Sequence, residues 1–257
     1  MEIYASFQPG DEVSKGDGSP LTKADLAADK VIRDALNRLT PNVPVLSEES
    51  LVPWDQRRTW THFWLVDPLD GTKEFIAKNG EFTVNVALIE VRSGIGYPVL
   101  GVVDAPAHGT TYAGLNEHGA FKITAKKETP IVCSHPTDIV RIVSSRSHAS
   151  DATQDLITVL KAPYPDSEVV SYGSSLKLCA VAEGVAHIYP RLAPTSEWDT
   201  AAAHAVVEAA EGRVLAWPSL EPLKYAKEDL TNPFFVVTPA PDEVIDPVLS
   251  AHAKEAL

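Results

Sequence analysis

Apolar positions in the first half of the chain predict one long helix followed by a series of short strands. After Thr22, apolar residues recur at helical spacing until Pro41, and Thr22 with Asp25 forms a capping-box pattern at the helix start. Short apolar or alternating runs, separated by Gly, Pro and Asn, then predict strands at 43–47, 63–66, 82–91, 99–103, 110–113 and 120–124, with a short helix at 71–79. This half therefore reads as an α+β subdomain.

The second half has a different order of elements, because strands alternate with helices. Strands are predicted at 139–143, 169–172, 186–189, 214–217 and 234–238, and helices at 150–160, 174–183 and 197–211. Such alternation is typical of an α/β subdomain. The change falls in the polar, Pro-containing stretch 128–138, so we predict one subdomain at 1–134 and another at 135–257.

Composition places the chain among ordinary globular proteins. Hydrophobic residues make up 44% and charged residues 22% of its 257 residues. No run of about 18 apolar residues predicts a membrane span, and residues 1–10 lack the features of a signal peptide. We therefore expect a cytoplasmic protein, with a peripheral position at the inner membrane face left open. The two cysteines, Cys133 and Cys179, match no metal or redox motif and are expected to be free thiols.

The formal net charge of −13 disfavours binding to a nucleic acid strand, because both would be negative. A small anionic substrate stays compatible with this charge if the pocket itself is positive. Bound metal cations are the readiest way for an acidic protein to make a pocket positive.

The sharpest local motif is the segment 64–72, WLVDPLDGT, in which an apolar strand runs into Asp67. Asp70 follows at i+3, and a turn at Pro68 would point both acids at one place, with the carbonyl of Leu69 between them. Oxygen ligands without a nearby Cys or His favour Mg²⁺ or Mn²⁺. Gly71 would allow close backbone approach, and the helix start that follows favours a phosphate. Taken alone, the segment is equally compatible with a solvated surface turn.

Other acids occupy comparable positions at the ends of predicted elements. Glu48 and Glu49 follow a strand, Asp199 lies just inside a helix start, and Asp25 belongs to the capping box. Capping alone would explain Asp25 or Asp199. Four such positions together favour a metal cluster suited to phosphoryl transfer. Crowded carboxylates raise one another's pKa, so we expect cations among them.

The chain lacks several well-known catalytic motifs. It has no His-Glu-x-x-His, P-loop, Gly-x-Ser-x-Gly or dinucleotide-binding Gly-x-Gly-x-x-Gly sequence. Single histidines at 62, 108, 187 and 204 are interpreted as structural or exposed residues.

Residues 65–72 (LVDPLDGT), 48–50 (EES) and 197–202 (EWDTAA) together resemble the inositol monophosphatase superfamily, a group of lithium-sensitive, magnesium-dependent phosphatases. Further segments resemble the bacterial 3′(2′),5′-bisphosphate nucleotidases within it. These segments are 15–25 (KGDGSPLTKAD), 44–49 (PVLSEE), 73–86 (KEFIAKNGEFTVNV), 145–148 (SRSH), 173–177 (GSSLK) and 189–191 (YPR). The resemblance implies an αβαβα layered sandwich.

The resemblance also implies an activity and a set of site residues. The activity is hydrolysis of 3′-phosphoadenosine 5′-phosphate to AMP and phosphate, linked to sulfate assimilation, with two or three Mg²⁺ ions and Mn²⁺ as an alternative metal. The implied metal ligands are Glu48, Asp67, the Leu69 carbonyl, Asp70 and Asp199. Asp25 and Thr72 are implied to orient and deprotonate the attacking water. Substrate contacts are implied for Glu48, Leu69, Asp70, Gly71, Thr72, His148, Ser174, Lys177, Arg191 and Asp199.

Some questions stay open at this point. The family usually has a further helix before Ile3 and Tyr4, so either the chain starts short or the sandwich lacks one outer helix. A homodimer stays open, and the polar loop 15–20 is expected to close over the metals as a mobile lid. Alternative functions are a phosphatase for inositol phosphates or fructose 1,6-bisphosphate, a non-catalytic nucleotide or metal sensor, and a structural protein with acidic turns.

Overall fold

The computed structural model describes residues 1–8, 10–14, 20–125, 127–144 and 150–255. Its helices are α1 (Glu2–Ser6), α2 (Lys23–Leu39), α3 (Trp54–Arg57), α4 (Thr72–Ile76), α5 (Asp151–Lys161), α6 (Leu176–Ala182), α7 (Glu197–Ala209) and α8 (Ile245–Glu255). Its strands are β1 (Val13–Ser14), β2 (Pro20–Leu21), β3 (Val45–Ser47), β4 (His62–Asp70), β5 (Thr83–Arg92), β6 (Ile95–Ala105), β7 (Thr110–Leu115), β8 (Gly119–Thr124), β9 (Lys127–Ile131), β10 (Ile139–Ser144), β11 (Asp166–Ser171), β12 (Tyr189–Arg191), β13 (Arg213–Ala216) and β14 (Phe235–Thr238).

The first half forms a sheet that, within the described residues, has the strand order β3-β4-β5-β6-β7-β8-β9. β3 runs parallel to β4, and the other neighbours are antiparallel. Helix α2 packs on β3 and β4, whereas α7 packs on the middle strands of the sheet. The sheet is therefore covered by helices from both halves of the chain.

Helix α7 approaches the sheet closely because glycines stand opposite it. A Cβ atom on Gly101 of β6 would lie 2.0 Å from the Ala202 carbonyl oxygen, and one on Gly114 of β7 would lie 2.6 Å from the Val206 Cα. The helix presents small residues, Ala201, Ala202 and Ala203 among them, which are buried. Backbone-to-backbone packing of this kind fixes the start of α7 relative to the sheet.

The second half adds the remaining layers. β12, β14 and β13 form an antiparallel sheet, and β10 pairs in parallel with β11. Helices α6 and α7 pack between this part and the large sheet, while α5 and α8 pack against each other on its far side. The layers run helix, sheet, helix, sheet, helix, so the predicted αβαβα sandwich is confirmed.

Several details differ from the sequence prediction. β4 does not stop at Asp67 but continues to Asp70, and β12 begins at Tyr189 rather than three residues earlier. α4 ends at Ile76, so it is shorter than predicted. α1, α3, α8 and β9 were not predicted; β9 contains Pro130 and α8 contains Pro247, which weakened their patterns.

The predicted subdomain boundary after residue 134 falls between β9 and β10 and stays a prediction. The main core cluster draws buried residues from both sides of this boundary, including Leu65, Ala87, Val206 and Phe235. Both cysteines are free, as expected. In the described part of the chain, no helix has the length and apolar character needed to cross a membrane.

Candidate active site

A β-bulge in β4 brings Asp67 and Asp70 onto one face of the sheet. Asp67 stands opposite Asn85 and Asp70 opposite Thr83, so three steps along β4 match two steps along β5. In a regular strand, residues three apart point to opposite faces. Pro68 lies inside the bulge and cannot donate to the ladder, and the Leu69 amide donates instead to Asp67 Oδ1 at 3.0 Å. The two acids converge as predicted, but through a bulge rather than a strand-ending turn.

The third acid of the cluster comes from the start of α7. Ser196 and Asp199 form a capping box, in which the Ser196 amide donates to Asp199 Oδ2 at 2.7 Å. One carboxylate oxygen from each of Asp67, Asp70 and Asp199 lies within 4.8 Å of the others. Asp199 can therefore cap α7 and still offer a carboxylate oxygen to the three-acid cluster.

The electrostatics of this cluster are unfavourable without a cation. Burial raises the pKa of Asp67 well above its usual value, and the neighbouring Asp70, Glu48 and Asp199 raise it further. Burial followed by the Asp70 charge raises the pKa of Asp199 to about 8. A cluster of carboxylates with no sulfur or imidazole ligand suits a hard divalent cation such as Mg²⁺. The residues present therefore fit the metal that the sequence implied.

Glu48 lies at the edge of the same site. Its backbone amide donates to the Val66 carbonyl at 3.1 Å, which continues the pairing of β3 with β4. Its charge raises the pKa of both Asp67 and Asp199, and it lines one cavity with Asp70. Glu48 thus faces the cluster without belonging to the three-acid group. No contact in the structure tests the Leu69 carbonyl as a ligand.

Two serines before α6 hold Asp70 in place. Ser174 Oγ lies 2.5 Å from Asp70 Oδ2 and contacts the hydroxyl of Thr83, while Ser175 Oγ lies 3.1 Å from Asp70 Oδ2. Ser175 Oγ also lies 2.9 Å from the Asp199 carbonyl oxygen. Ser174 was predicted to contact the substrate, and the structure directs its hydroxyl toward Asp70. Ser175 and Thr83 were not predicted as site residues.

The acid and hydroxyl implied to act on water lie close together. Thr72 Oγ1 lies 3.4 Å from Asp25 Oδ1. The other oxygen of Asp25 accepts from the Thr22 amide at 2.8 Å and from the Thr22 hydroxyl at 2.6 Å. Asp25 is therefore held by its capping box and presents its second oxygen to Thr72.

A cavity of about 230 Å³ opens beside the acids and is lined by cations as well as by carboxylates. It is lined by Pro20, Glu48, Asp70, Gly71, Thr72, Lys73, Glu74, Ser174, Lys177 and Arg191. Gly71 has a φ of +89°, which a residue with a side chain rarely adopts. Burial lowers the pKa of Lys177, and Arg191 Nε is buried with no hydrogen-bond partner among the described residues. A larger groove of about 560 Å³ is lined mainly by apolar side chains, many of them from α1 and α2, and no Lys or Arg is among its described lining residues.

Two predictions fall outside the described residues. His148, the predicted nucleotide contact, belongs to the undescribed stretch 145–149, and most of the predicted lid belongs to 15–19. The roles of the other predicted site residues stay predictions, although the structure brings together Asp25, Glu48, Asp67, Asp70, Thr72, Lys177, Arg191 and Asp199 around one site. No clear sequence signal marks Thr83, because β5 also carries the polar residues Asn85, Glu90 and Arg92.

Comparison with known proteins agrees with this geometry. The model of the inositol monophosphatase family matches residues 3–242. The chain is 47% identical over 241 residues to the 3′(2′),5′-bisphosphate nucleotidase CysQ of Escherichia coli K12, covering 93% of each chain. It is 36% identical over 225 residues to the corresponding CysQ of Haemophilus influenzae, covering 87% of this chain and 81% of that one.

A solved structure shows the same fold. The crystal structure of CysQ from Bacteroides thetaiotaomicron, described as a bacterial member of the inositol monophosphatase family, superimposes with a TM-score of 0.83 at 41% identity, covering 94% of this chain and 92% of that one. An inositol monophosphatase from Anabaena superimposes with a TM-score of 0.71 at 25% identity, covering 90% and 86%. The chain belongs to the inositol monophosphatase family.

Proposed function

We propose that this chain is a Mg²⁺-dependent 3′(2′),5′-bisphosphate nucleotidase that hydrolyses 3′-phosphoadenosine 5′-phosphate to AMP and phosphate. The observation that carries the proposal is one cavity lined both by carboxylates of the acidic site, Glu48 and Asp70, and by two cations, Lys177 and Arg191. A substrate with two separated phosphates matches this arrangement. The name of the relatives that share 46–47% of its residues supports the same substrate.

The acids would hold the metal ions. Asp67, Asp70 and Asp199 supply the central ligands, and Glu48 supplies a further carboxylate from the edge. Bound Mg²⁺ would make hydroxide available near neutral pH and neutralise charge on the phosphoryl oxygens. The raised pKa values of Asp67 and Asp199 agree with this role, because a bound cation would offset the burial and the neighbouring negative charges that raise them.

Asp25 and Thr72 would orient and deprotonate the attacking water. The Thr72 hydroxyl donates to Asp25 Oδ1, so its lone pair is left to accept a hydrogen bond from water, while the Asp25 carboxylate would take up the proton. Asp25 is fixed by Thr22 through its other oxygen, which limits its freedom to rotate. The pair therefore has the acceptor and the rigidity that a general base requires.

Lys177 and Arg191 would bind the second phosphate. Arg191 presents a buried Nε without a partner among the described residues, and a phosphate oxygen would satisfy it. Burial lowers the pKa of Lys177, and an anion beside it would favour its charged form. A substrate with one phosphate would leave both groups unsatisfied.

Phosphate release tests the proposal. The wild-type protein is assayed on adenosine 3′,5′-bisphosphate, 3′-AMP, inositol 1-phosphate and fructose 1,6-bisphosphate, with Mg²⁺, with a chelator and with added Li⁺. We expect the highest kcat/KM on the bisphosphate nucleotide, loss of activity with the chelator and inhibition by Li⁺. A higher kcat/KM on either sugar phosphate would contradict the substrate assignment.

A matched pair of variants tests the second phosphate site. Lys177→Met and Arg191→Met should raise KM for adenosine 3′,5′-bisphosphate by at least about tenfold, since each loses a charge-assisted contact worth roughly 1.5–3 kcal/mol. KM for 3′-AMP should change little, because that substrate has no second phosphate to lose. Equal effects on both substrates would show that these cations do not select the second phosphate.

A further inference from the structure

Asn85 in β5 is a buried amide that the described residues leave without a partner. Its side chain is 0% exposed, and neither Oδ1 nor Nδ2 has a hydrogen-bond partner among the described residues. An amide buried in this state costs roughly 1–3 kcal/mol. Most buried amides in proteins are satisfied, so this residue calls for an explanation.

The register of the sheet places Asn85 beside the acids. It stands directly opposite Asp67 on the neighbouring antiparallel strand, so both side chains point to the same face. Two residues along β5, Ala87 pairs with Gly101, the glycine that α7 approaches through Ala202. The shared face is therefore the one that α7 covers, and Asp199 lies at the start of that helix. Asn85 therefore lies next to Asp67, on the face of the sheet that also carries Asp70.

The chemistry of the amide identifies the partner it needs. Oδ1 is an acceptor and requires a donor, whereas carboxylates that a bound cation keeps ionised are acceptors only. Mg²⁺ keeps several of its waters when it binds to proteins, and those waters are donors. Nδ2 is a donor and matches the carboxylate of Asp67. A metal-loaded site therefore supplies the donor that Oδ1 lacks, and we expect Asp67, which makes no hydrogen bond with Nδ2 in this structure, to become its acceptor when it is held as a metal ligand.

We propose that Asn85 is a positioning residue of the metal centre, which accepts a hydrogen bond from a water of the ion's hydration shell and donates one to the Asp67 carboxylate. This inference rests on the proposed function, because it requires the acids to bind a divalent cation. Residues that orient metal ligands in this way usually change metal affinity by about 10–100-fold when they are replaced.

Two isosteric variants test the proposal. Valine and threonine both suit a strand and have the same shape as each other, but only threonine offers a polar group, its hydroxyl, in place of the amide. Mg²⁺ affinity is measured by titration calorimetry, and Tm is measured in EDTA. We expect about 10–100-fold weaker Mg²⁺ binding in Asn85→Val and a smaller loss in Asn85→Thr. In EDTA, Asn85→Val should melt at or above the wild-type Tm, because an unpaired amide has been removed.

Three other outcomes would overturn either the role of Asn85 or the proposed metal site. Wild-type Mg²⁺ affinity in both variants would overturn the inference while leaving the metal site intact. A lower Tm or loss of folding for Asn85→Val in EDTA would also overturn it, since the amide would then be serving the metal-free protein. Failure of the wild-type protein to bind Mg²⁺ would remove the metal role from the proposed function itself.

Discussion

Thr72 Oγ1 lies 3.4 Å from Asp25 Oδ1, although the two residues come from different helices and are 47 positions apart in the chain. Asp25 is fixed by the capping box of α2, and Thr72 is the first residue of α4, directly after Gly71. The pair is thus assembled from two helix starts. This arrangement leads to the first of four predictions.

Replacing Asp25 by Asn should lower kcat for adenosine 3′,5′-bisphosphate by roughly 10²–10⁴-fold, the usual contribution of a general base. Thr72→Val should lower kcat strongly as well, while Thr72→Ser retains most activity because it keeps the hydroxyl. Steady-state phosphate release measures kcat, and Tm shows whether the loss of the Asp25 capping box destabilises α2. Equal kcat in Thr72→Val and Thr72→Ser would exclude a role for the hydroxyl.

The second prediction concerns pH and stability in the metal-free protein. The Asp199 carboxyl has a pKa of about 8 in the folded chain and an ordinary pKa of 3.8 when exposed, and the pKa of Asp67 is raised in the same direction. Between these values, the folded chain holds more protons than the unfolded chain. The contribution of these groups to the free energy of unfolding therefore falls as pH rises from roughly 4 to roughly 8.

Thermal melting in EDTA across this pH range checks the second prediction. We expect Asp199→Asn to lose less stability than the wild type as pH rises, because the amide does not ionise. Saturating Mg²⁺ should raise the wild-type Tm most at the upper end of the range. Identical pH profiles for the wild type and Asp199→Asn would contradict the raised pKa.

The third prediction concerns Ser175, whose hydroxyl lies within hydrogen-bond distance of both Asp70 Oδ2 and the Asp199 carbonyl oxygen. Ser175→Ala should destabilise the protein by about 1–3 kcal/mol, because a buried donor to these oxygens is lost. Urea unfolding measures the change. Ser219→Ala is the control, since its hydroxyl is exposed and its contacts with the Ala216 carbonyl and the Glu221 amide are both long, at 3.4 Å. Equal stability of the two variants would show that the Ser175 contacts contribute little.

The fourth prediction concerns the packing of α7 on the sheet. Gly101→Ala would place a Cβ atom 2.0 Å from the Ala202 carbonyl oxygen, so the helix must move away. We expect a loss of about 3 kcal/mol or more, by the mechanism of overpacking against backbone. Gly94→Ala meets open space and has only an unfavourable φ of +79°, so it should cost about 1–2 kcal/mol. A Gly101→Ala protein as stable as Gly94→Ala would contradict the close packing.

Much of the site could be predicted because its acids lie at the ends of elements that the sequence marks clearly. Thr22 with Asp25 predicts a capping box, and the structure contains it. The bulge in β4 could not be predicted, because Pro68 after an apolar run is equally typical of a strand end. The sequence therefore indicated which acids meet but not how the backbone brings them together.

The alternation in β5 shows a second limit of prediction from sequence, which concerns the face of a strand that is buried. Val84, Val86 and Leu88 are the more apolar side of this strand, yet the alternate residues Thr83, Asn85, Ala87 and Ile89 are the fully buried ones. Hydrophobicity alone favours the wrong face here, because α7 and the acids cover the side that carries two polar residues. Polar side chains at buried positions become recognisable as functional only when their neighbours across the sheet are known.

The three-acid cluster takes Asp67 and Asp70 from a strand in the first half of the chain and Asp199 from a helix in the second. An ion bound to all three would stabilise the packing of these two parts against each other. By thermodynamic reciprocity, the affinity for the ion depends on how stable that packing is without it. A substitution that loosens α7 from the sheet, however far from the acids, should therefore weaken the hold on the ion. Tight ion binding would in turn rescue a protein whose halves fit poorly.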